Sequence, residues 1–566
     1  MSTSATSPAP SFVSGASSAP LLFRTVDGVL KAAVTANPDG LALVSAHQGA
    51  RYTFAALDAA VEDLARGFVA LGLSPGERIG IWAPNRNEWV LTMFAAARAG
   101  LVLVNINPAY RTTELEFALR LVGCRALVFA TEFRGADYAA MLAELAPEIP
   151  ESAPGALQST RLPELRALIS LGAAAGCLGV GDVIAAGRSV DGAALEARAR
   201  AIDPDDPYNI QFTSGTTGTP KGATLSHFNI VNNGLFVGEC MKLGADDRIC
   251  IPVPMYHCFG MVLGVLAAMT HGAASIFPSA GFEPLAALET VARERCTVLH
   301  GVPTMFIAEL EHPRFREFDL STLRTGIMAG APCPVAVMRR VVDEMHMPEV
   351  TICYGMTETS PVSFQSLTDD PLERRVGTVG RIHPHVQVKV VDGEGHVVPR
   401  GAPGELLTRG YSVMQGYWNE PERTREAIDP AGWMHTGDLA VLDAEGYCNI
   451  VGRVKDLIIR GGENISPREI EDYLYQHPAV LDVAVIGVPD ARYGEAVCAC
   501  IRVKPGASLC EEDVRGFCQG RIAHYKVPRY VRILDTFPLT VTGKIQKYRL
   551  REQLRAELNL SEEQHA

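Results

Sequence analysis

Residues 212–222 read Phe-Thr-Ser-Gly-Thr-Thr-Gly-Thr-Pro-Lys-Gly, a string dense in hydroxyls and glycines that closes on one cation. Glycines let backbone amides converge on an anion, Ser and Thr hydroxyls add donors, and a lysine supplies a point charge. The segment is therefore fitted to a polyphosphate, and its place directly after the apolar Ile210-Gln211-Phe212 disfavours a plain flexible linker. It is not a Walker loop, which needs Gly-Lys-Ser/Thr, because Pro220 precedes Lys221 and Gly222 follows it. The chain contains no G-x-G-x-x-G, G-x-S-x-G or H-E-x-x-H, so dinucleotide, serine-hydrolase and zinc-protease readings lose support.

A loop of this kind needs a scaffold, and the composition can supply one. The chain has 566 residues, 47% hydrophobic and 20% charged, enough to bury large cores in more than one domain. Lys and Arg number 51 against 64 Asp and Glu, a net −13, which argues against a broad basic face for nucleic acid or anionic membrane. Phe54, Leu57, Val61, Leu64, Phe68 and Leu71 recur at helical spacing, with Thr53 placed to cap the start and Gly72 to end the run. A strand over Arg78 to Trp82, a helix from about Trp89 to Arg98 and a strand at Leu101 to Val104 follow, an alternation that predicts an α/β layered architecture. Ser152 to Arg161 reads as a surface loop.

From Gly446 the pattern changes. Gly452-Arg453-Val454-Lys455-Asp456 precedes a strand-like Leu457 to Arg460, a double glycine and a helix-like Pro467 to Tyr475, and the apolar runs Val483 to Val488 and Val497 to Val503 can core a separate small domain. The expected division is a disordered Ser/Ala/Pro-rich leader at 1–20, a large domain at 21–452, a hinge at 453–456 and a small domain at 457–566. The leader has neither a basic n-region nor an apolar core, and no run reaches the ~18 apolar residues of a spanning helix. Thirteen scattered cysteines, with Cys498 and Cys500 on one face of a strand, suggest buried free thiols in a reducing compartment, hence the cytoplasm.

Thr213 to Gly222 resembles the signature loop of the adenylate-forming (AMP-binding) superfamily, which includes acyl-CoA synthetases, peptide-synthetase adenylation domains and luciferases. The likeness extends in order through Pro254-Met255-Tyr256-His257-Cys258-Phe259-Gly260, Tyr354-Gly355-Met356-Thr357-Glu358-Thr359, Thr436-Gly437-Asp438, Gly452 to Asp456 and Pro538 to Lys544. Gly461 to Ile465 and Cys498 to Arg502 further resemble the medium-chain fatty-acid CoA ligase branch. The resemblance implies a large α/β N-terminal region of several subdomains, with layered sheets and helices, and a small mobile α+β C-terminal domain.

It also implies roles. ATP would be held by Thr213, Ser214, Gly215, Thr216, Thr217, Gly218, Thr219, Pro220 and Lys221, by the adenine-facing Gly330, Ala331 and Pro332, and by Tyr354, Gly355 and Thr357. Asp438 and Arg453 would meet the ribose, Glu358 would hold Mg²⁺ on the phosphates, and Lys544 would be the catalytic lysine that contacts carboxylate and α-phosphate. His257 resembles the aromatic gate at the acyl site and is counted with the catalytic residues; Val302 and Gly330 would line the acyl pocket, Gly461 and Gly462 would admit the pantetheine arm of coenzyme A, and Lys455 would be the hinge. The implied cofactors and co-substrates are ATP, Mg²⁺ and coenzyme A, the partner a small-molecule carboxylic acid, and a homodimer is the assembly left open. No Asp lies in 251–265 to meet a substrate ammonium, which favours a simple carboxylic acid; that it is a medium-chain fatty acid is implied by the resemblance at 461–465 and 498–502 alone. The rival readings are transfer of the acyl group to a separate carrier protein and a noncatalytic nucleotide-binding regulator.

Overall fold

A computed structural model describes residues 9–213, 220–331, 333–460, 463–490, 492–539 and 545–557. The predicted N-terminal helix spans Phe54–Ala70; the Thr53 hydroxyl accepts from the Ala56 amide at 3.2 Å, and Gly72 follows its end at φ +77°. Its apolar stripe is buried against helices Val26–Ala36, Asn87–Arg98 and Val180–Gly187 and against the strands Leu41–Ser45 and Ala50–Thr53.

One sheet has eight strands, with Arg78–Trp82, Val102–Asn105, Cys124–Phe129, Ala167–Ser170 and Pro207–Thr213 running parallel at its centre. Parallel strands joined by helical crossovers are covered on both faces, which is why Ile79, Ile81 and Trp82 are all fully buried. The other sheet has nine strands, mainly parallel, and includes Leu41–Ser45, Arg248–Cys250, Ala274–Phe277, Thr325–Met328 and Glu349–Gly355. Helices Val26–Ala36, Asn87–Arg98 and His227–Cys240 join the two sheets in one apolar core. Arg98, which interrupts the apolar run around Phe94, is itself buried and pairs with Asp27 at 2.7 Å and with Asp58. A buried guanidinium of this kind is tolerated because its charge is matched.

A third, antiparallel sheet corrects the reading of the leader. Residues 9–20 are ordered: Phe12–Ser14 adds an edge strand to Val386–Val391, with Phe12 opposite Lys389 and Ser14 opposite Gln387. Arg400 donates to the carbonyls of Pro10 at 3.0 Å and Phe12 at 2.9 Å, and His385 Nε2 bonds the Ala19 carbonyl at 2.6 Å. Composition alone misleads here because the partner is backbone: an open sheet edge offers unpaired amides and carbonyls to any sequence. The sheet continues through Gly404–Gly410 and Met434–Leu442 to Cys448–Arg453.

Beyond a short turn at Val454–Asp456 a fourth sheet begins, formed by Ile458–Arg460, Glu463–Ile465, Val480–Asp490, Gly494–Val503 and Tyr530–Ile533. It is covered on one face by helices Pro467–Leu474 and Glu511–Cys518 and on the other by Lys547–Glu557, whose Leu550 and Leu554 lie over Cys498 and Cys500. All thirteen cysteines are free thiols. Among the described residues no helix is long and apolar enough to cross a membrane.

Candidate functional site

Strand Pro207–Thr213 and strand Lys221–Ser226 are antiparallel partners with Thr213 opposite Lys221, so the two ends of the hydroxyl-glycine string are pinned side by side. Ser214, Gly215, Thr216, Thr217, Gly218 and Thr219 lie outside the described residues, as do Pro332, Gly461, Gly462 and Lys544.

Strand Glu349–Gly355 delivers the next group. A Cβ on Gly355 would stand 1.7 Å from the Pro361 carbonyl oxygen, so only glycine lets the chain fold back there. The reversal puts Glu358 in a tight turn, 5% exposed, with its backbone carbonyl accepting from the Met414 amide at 2.9 Å. Its carboxylate is held through one oxygen: Thr213 Oγ1 donates to Oε1 at 3.2 Å and the Tyr417 hydroxyl donates to the same atom at 2.9 Å. The Lys221 ammonium in turn donates to the Tyr417 hydroxyl at 3.0 Å and lies 4.3 Å from that ring's centre. Burial and the adjacent carboxylate push the Tyr417 phenol well above its ordinary pKa, so it stays a proton donor.

The other end of the same segment holds a second carboxylate. Tyr354 donates to Asp438 Oδ2 at 2.6 Å, and Arg453 Nε donates to Asp438 Oδ1 at 2.9 Å. Asp438 and Arg453 are cross-strand partners in the third sheet, so sheet register sets the pair. Gly437, at φ +69°, turns the chain so that the Asp438 amide can reach Thr436 Oγ1 at 3.1 Å. Burial, then Asp438, raises the Tyr354 pKa, and Asp438 first of all raises that of Arg453. Each Asp438 oxygen keeps a second lone pair for a vicinal diol.

Glu358 is the described residue suited to a divalent cation: one oxygen is fixed by hydroxyls and Oε2 has no bond among the described residues. No cluster of three or more His, Cys, Asp or Glu able to hold a metal occurs among them. A single carboxylate that needs phosphate oxygens to complete the shell is the usual arrangement for Mg²⁺.

The segment Pro254–Gly260 enters a π-helix at Phe259–Leu266. His257 is half-buried, and its Nδ1 accepts from the Phe259 amide at 3.1 Å, which fixes the ring at the head of that helix. Gly260 allows a close approach to the Pro254 carbonyl, 2.5 Å from where a Cβ would sit. Val302 is buried and heads helix Pro303–Leu310, and Gly330, at φ +88°, turns the chain after strand Thr325–Met328. Ala331 follows it, partly exposed; Thr357 is buried, and Pro220 leads into strand Lys221–Ser226. Lys455 lies exposed in the turn Val454–Asp456.

Several positions went unread in the sequence. Gln211 Nε2 donates to Asn209 Oδ1 at 2.8 Å, Asn209 Nδ2 to Asn105 Oδ1 at 2.8 Å, and Asn105 Nδ2 to the Tyr256 carbonyl at 3.1 Å. This buried amide chain ties the strand that carries Thr213 to the aromatic segment. Asn85 clamps the same segment through the Val253 carbonyl and the Met255 amide, both at 2.8 Å. The available signal was the alternation of Asn209 and Gln211 with apolar residues in a strand too buried to leave amides unpaired. Tyr417, in the two-residue strand Gly416–Tyr417, carried no such signal.

Residues 30–418 match the profile of the AMP-binding enzymes, and residues 469–544 that of the AMP-binding enzyme C-terminal domain. The Bacillus subtilis (strain 168) protein YngI is 49% identical over 549 residues, covering 96% of this chain and 100% of that one. The mitochondrial medium-chain acyl-CoA ligase ACSF2 of Danio rerio is 49% identical over 556 residues, covering 97% and 91%. Among solved structures, the anthranilate CoA ligase AuaEII in complex with anthranoyl-AMP superposes with a TM-score of 0.84 at 26% identity, over 96% of this chain and 99% of that one. ATP-bound MatB from Rhodopseudomonas palustris gives 0.79 at 30% identity, over 94% and 99%.

Proposed function

The chain belongs to the AMP-binding enzymes, and from that premise we propose that its site makes acyl-CoA in two steps, as an AMP-forming acid–CoA ligase. In the first, a carboxylate oxygen of the acid attacks the α-phosphorus of ATP, the bond to the β-phosphate oxygen breaks, and pyrophosphate leaves. In the second, the CoA thiol attacks the acyl carbon, AMP leaves with the bonding electrons, and the thiol proton is released. Two anions must meet in the first step, so the site has to supply orientation and positive charge.

One observation carries this reading: the segment Tyr354 to Glu358 reaches the end of the phosphate loop through Thr213 at one end and the Asp438–Arg453 pair at the other. A nucleotide laid along it would place ribose hydroxyls at Asp438 and phosphates at Thr213 to Lys221. Glu358 Oε2 is the oxygen offered to Mg²⁺, which supplies charge neutralisation on the phosphates when bound. Lys544 is assigned the carboxylate and the α-phosphate, Gly461 and Gly462 the pantetheine arm, and Lys455 the pivot of a terminal lobe that begins after 456. His257, Val302 and Gly330 are assigned the acyl side. The proposed acid is a medium-chain fatty acid, a choice supported by the medium-chain acyl-CoA ligase name of the Danio rerio relative, and the proposed compartment is the cytoplasm, supported by the free thiols.

The test is a panel of carboxylic acids from acetate to palmitate, with benzoate included, scored by AMP release in the presence and absence of CoA. CoA-dependent AMP release that peaks at medium chain length is expected. Absence of that dependence across the whole panel would overturn the activity, and a maximum at benzoate or acetate would overturn the acid alone.

A further inference from the structure

We propose that Tyr417 is a positioning residue that keeps the Lys221 ammonium and the Glu358 carboxylate apart, so that both stay available to the nucleotide. The inference rests on the reading of the site as an ATP site. The geometry is a relay of three groups: Nζ of Lys221 to the phenol oxygen at 3.0 Å, and the phenol to Glu358 Oε1 at 2.9 Å. Lys221 and Glu358 form no direct ion pair among the described residues, although one hydroxyl alone separates them.

Opposite charges left this close at a buried site would collapse onto each other. The Glu358 side of such a pair is shielded from water, so its attraction to the ammonium would be strong and would have to be broken before a phosphate could take the lysine. The phenol prevents this without neutralising either group. Its lone pair satisfies the ammonium, its ring face adds a cation–π contact at 4.3 Å, and its proton satisfies one carboxylate oxygen. A phenol is suited to the task because it donates and accepts at one atom.

The backbone places Tyr417 firmly enough for this. Tyr417 is opposite Ala223 in the short antiparallel pairing of Gly416–Tyr417 with Lys221–Ser226, and its amide donates to Thr424 Oγ1 at 2.9 Å. The Trp418 amide donates to the Gly222 carbonyl at 2.8 Å, one residue from Lys221. The phenol is therefore registered to the strand that carries the lysine, while Glu358 reaches it from the other large sheet.

The experiment measures equilibrium binding of a non-hydrolysable ATP analogue by calorimetry, with and without Mg²⁺, to four full-length proteins: wild type, Tyr417→Phe, Lys221→Met, and the double variant. Tyr417→Phe should weaken the analogue about tenfold, the scale of one charge-assisted hydrogen bond, with thermal melting within a few degrees of wild type. On the Lys221→Met background the same substitution should change affinity by less than about twofold, because no ammonium remains to compete for Glu358. Equal losses on both backgrounds would mean that Tyr417 acts only as packing and would overturn the proposal, as would unchanged affinity in the single variant. Failure of the wild type to bind the analogue would instead strike the reading of the site itself.

Discussion

The two carboxylates served by the segment 354–358 are both buried, yet they are held differently. Asp438 has a donor on each oxygen, Tyr354 on one and Arg453 on the other, and its position is set by sheet register. Glu358 takes both of its donors, Thr213 and Tyr417, on a single oxygen and leaves the second without a bond among the described residues. The Asp438 end is thus a finished arrangement that can add hydroxyl donors without losing any partner. The Glu358 end is a half-filled shell, which in the proposed reaction gains a partner on Oε2 while its neighbour Lys221 exchanges one. Preorganisation suits the part of a nucleotide that does not react, and exchangeable contacts suit the part whose bonds change.

The largest effect should come from a group at neither end. Lys221 and a bound Mg²⁺ would serve the phosphates at the Glu358 end, and the charge that meets the incoming carboxylate and the α-phosphate together is proposed to come from Lys544. Lys544→Ala should lower acyl-adenylate formation by about 10²–10³, the scale of removing one preorganised donor, while thiolysis of supplied acyl-adenylate by CoA largely survives. Equal loss in both half-reactions would remove the distinction between a fixed cradle and a delivered cation.

Glu358→Gln comes next. It keeps the size of the side chain but removes the charge that the half-filled end needs, and a loss of about 10² in kcat/KM for ATP is expected, with the Mg²⁺ requirement rising and the KM for the acid little changed. Asp438→Ala should be milder, about tenfold, and confined to the apparent affinity for ATP, since it removes hydrogen bonds made equally in ground and transition states. Reversal of that order, or a kcat defect in Asp438→Ala as large as that in Glu358→Gln, would break the contrast between the two ends.

How much of this could be read in the sequence follows from the same contrast. Thr213 and Lys221 were legible from the hydroxyl-glycine string itself, whereas Glu358, Asp438 and Arg453 were singled out by the resemblance of their ordered motifs to the family, each being an ordinary charged residue when taken alone. The helix Phe54–Ala70 and the strand Arg78–Trp82 were legible from apolar periodicity. What could not be read was whatever depends on elements far apart in the chain. Tyr417 acquires its place from pairing with a strand nearly two hundred residues earlier and from a carboxylate on another sheet. The edge strand Phe12–Ser14 exists because Val386–Val391 offers it an open edge, and its own composition suggested disorder. Helix Lys547–Glu557 was missed because its apolar face is just Leu550 and Leu554 among charged residues, enough to cover one side of a small sheet.

The smallest effect is expected beneath both ends and should not distinguish them. His227 and His300 are fully buried, and burial lowers their pKa values from the usual 6.5 to about 3 and about 4. Each is used as a neutral ring: His227 Nδ1 accepts from the Val26 amide at 3.2 Å, while His300 bonds the Leu263 carbonyl through Nε2 at 3.1 Å and accepts from the Ile327 amide at Nδ1 at 3.2 Å. Between the folded and unfolded values the unfolded chain binds protons that the folded chain refuses, so stability is complete above about pH 6.5 and falls as the pH drops toward 4. One such site contributes a slope of at most about 1.4 kcal/mol per pH unit. His300→Gln, whose amide can donate and accept in place of the ring, should flatten the acid limb of thermal stability measured from pH 7 to pH 4.5 by up to that amount. Since neither histidine touches the two carboxylates, the ratio of the Glu358→Gln and Asp438→Ala defects measured at pH 7 should persist at pH 6. A ratio that shifts with pH over that interval would show that the acid response comes from the site and not from the core that supports it.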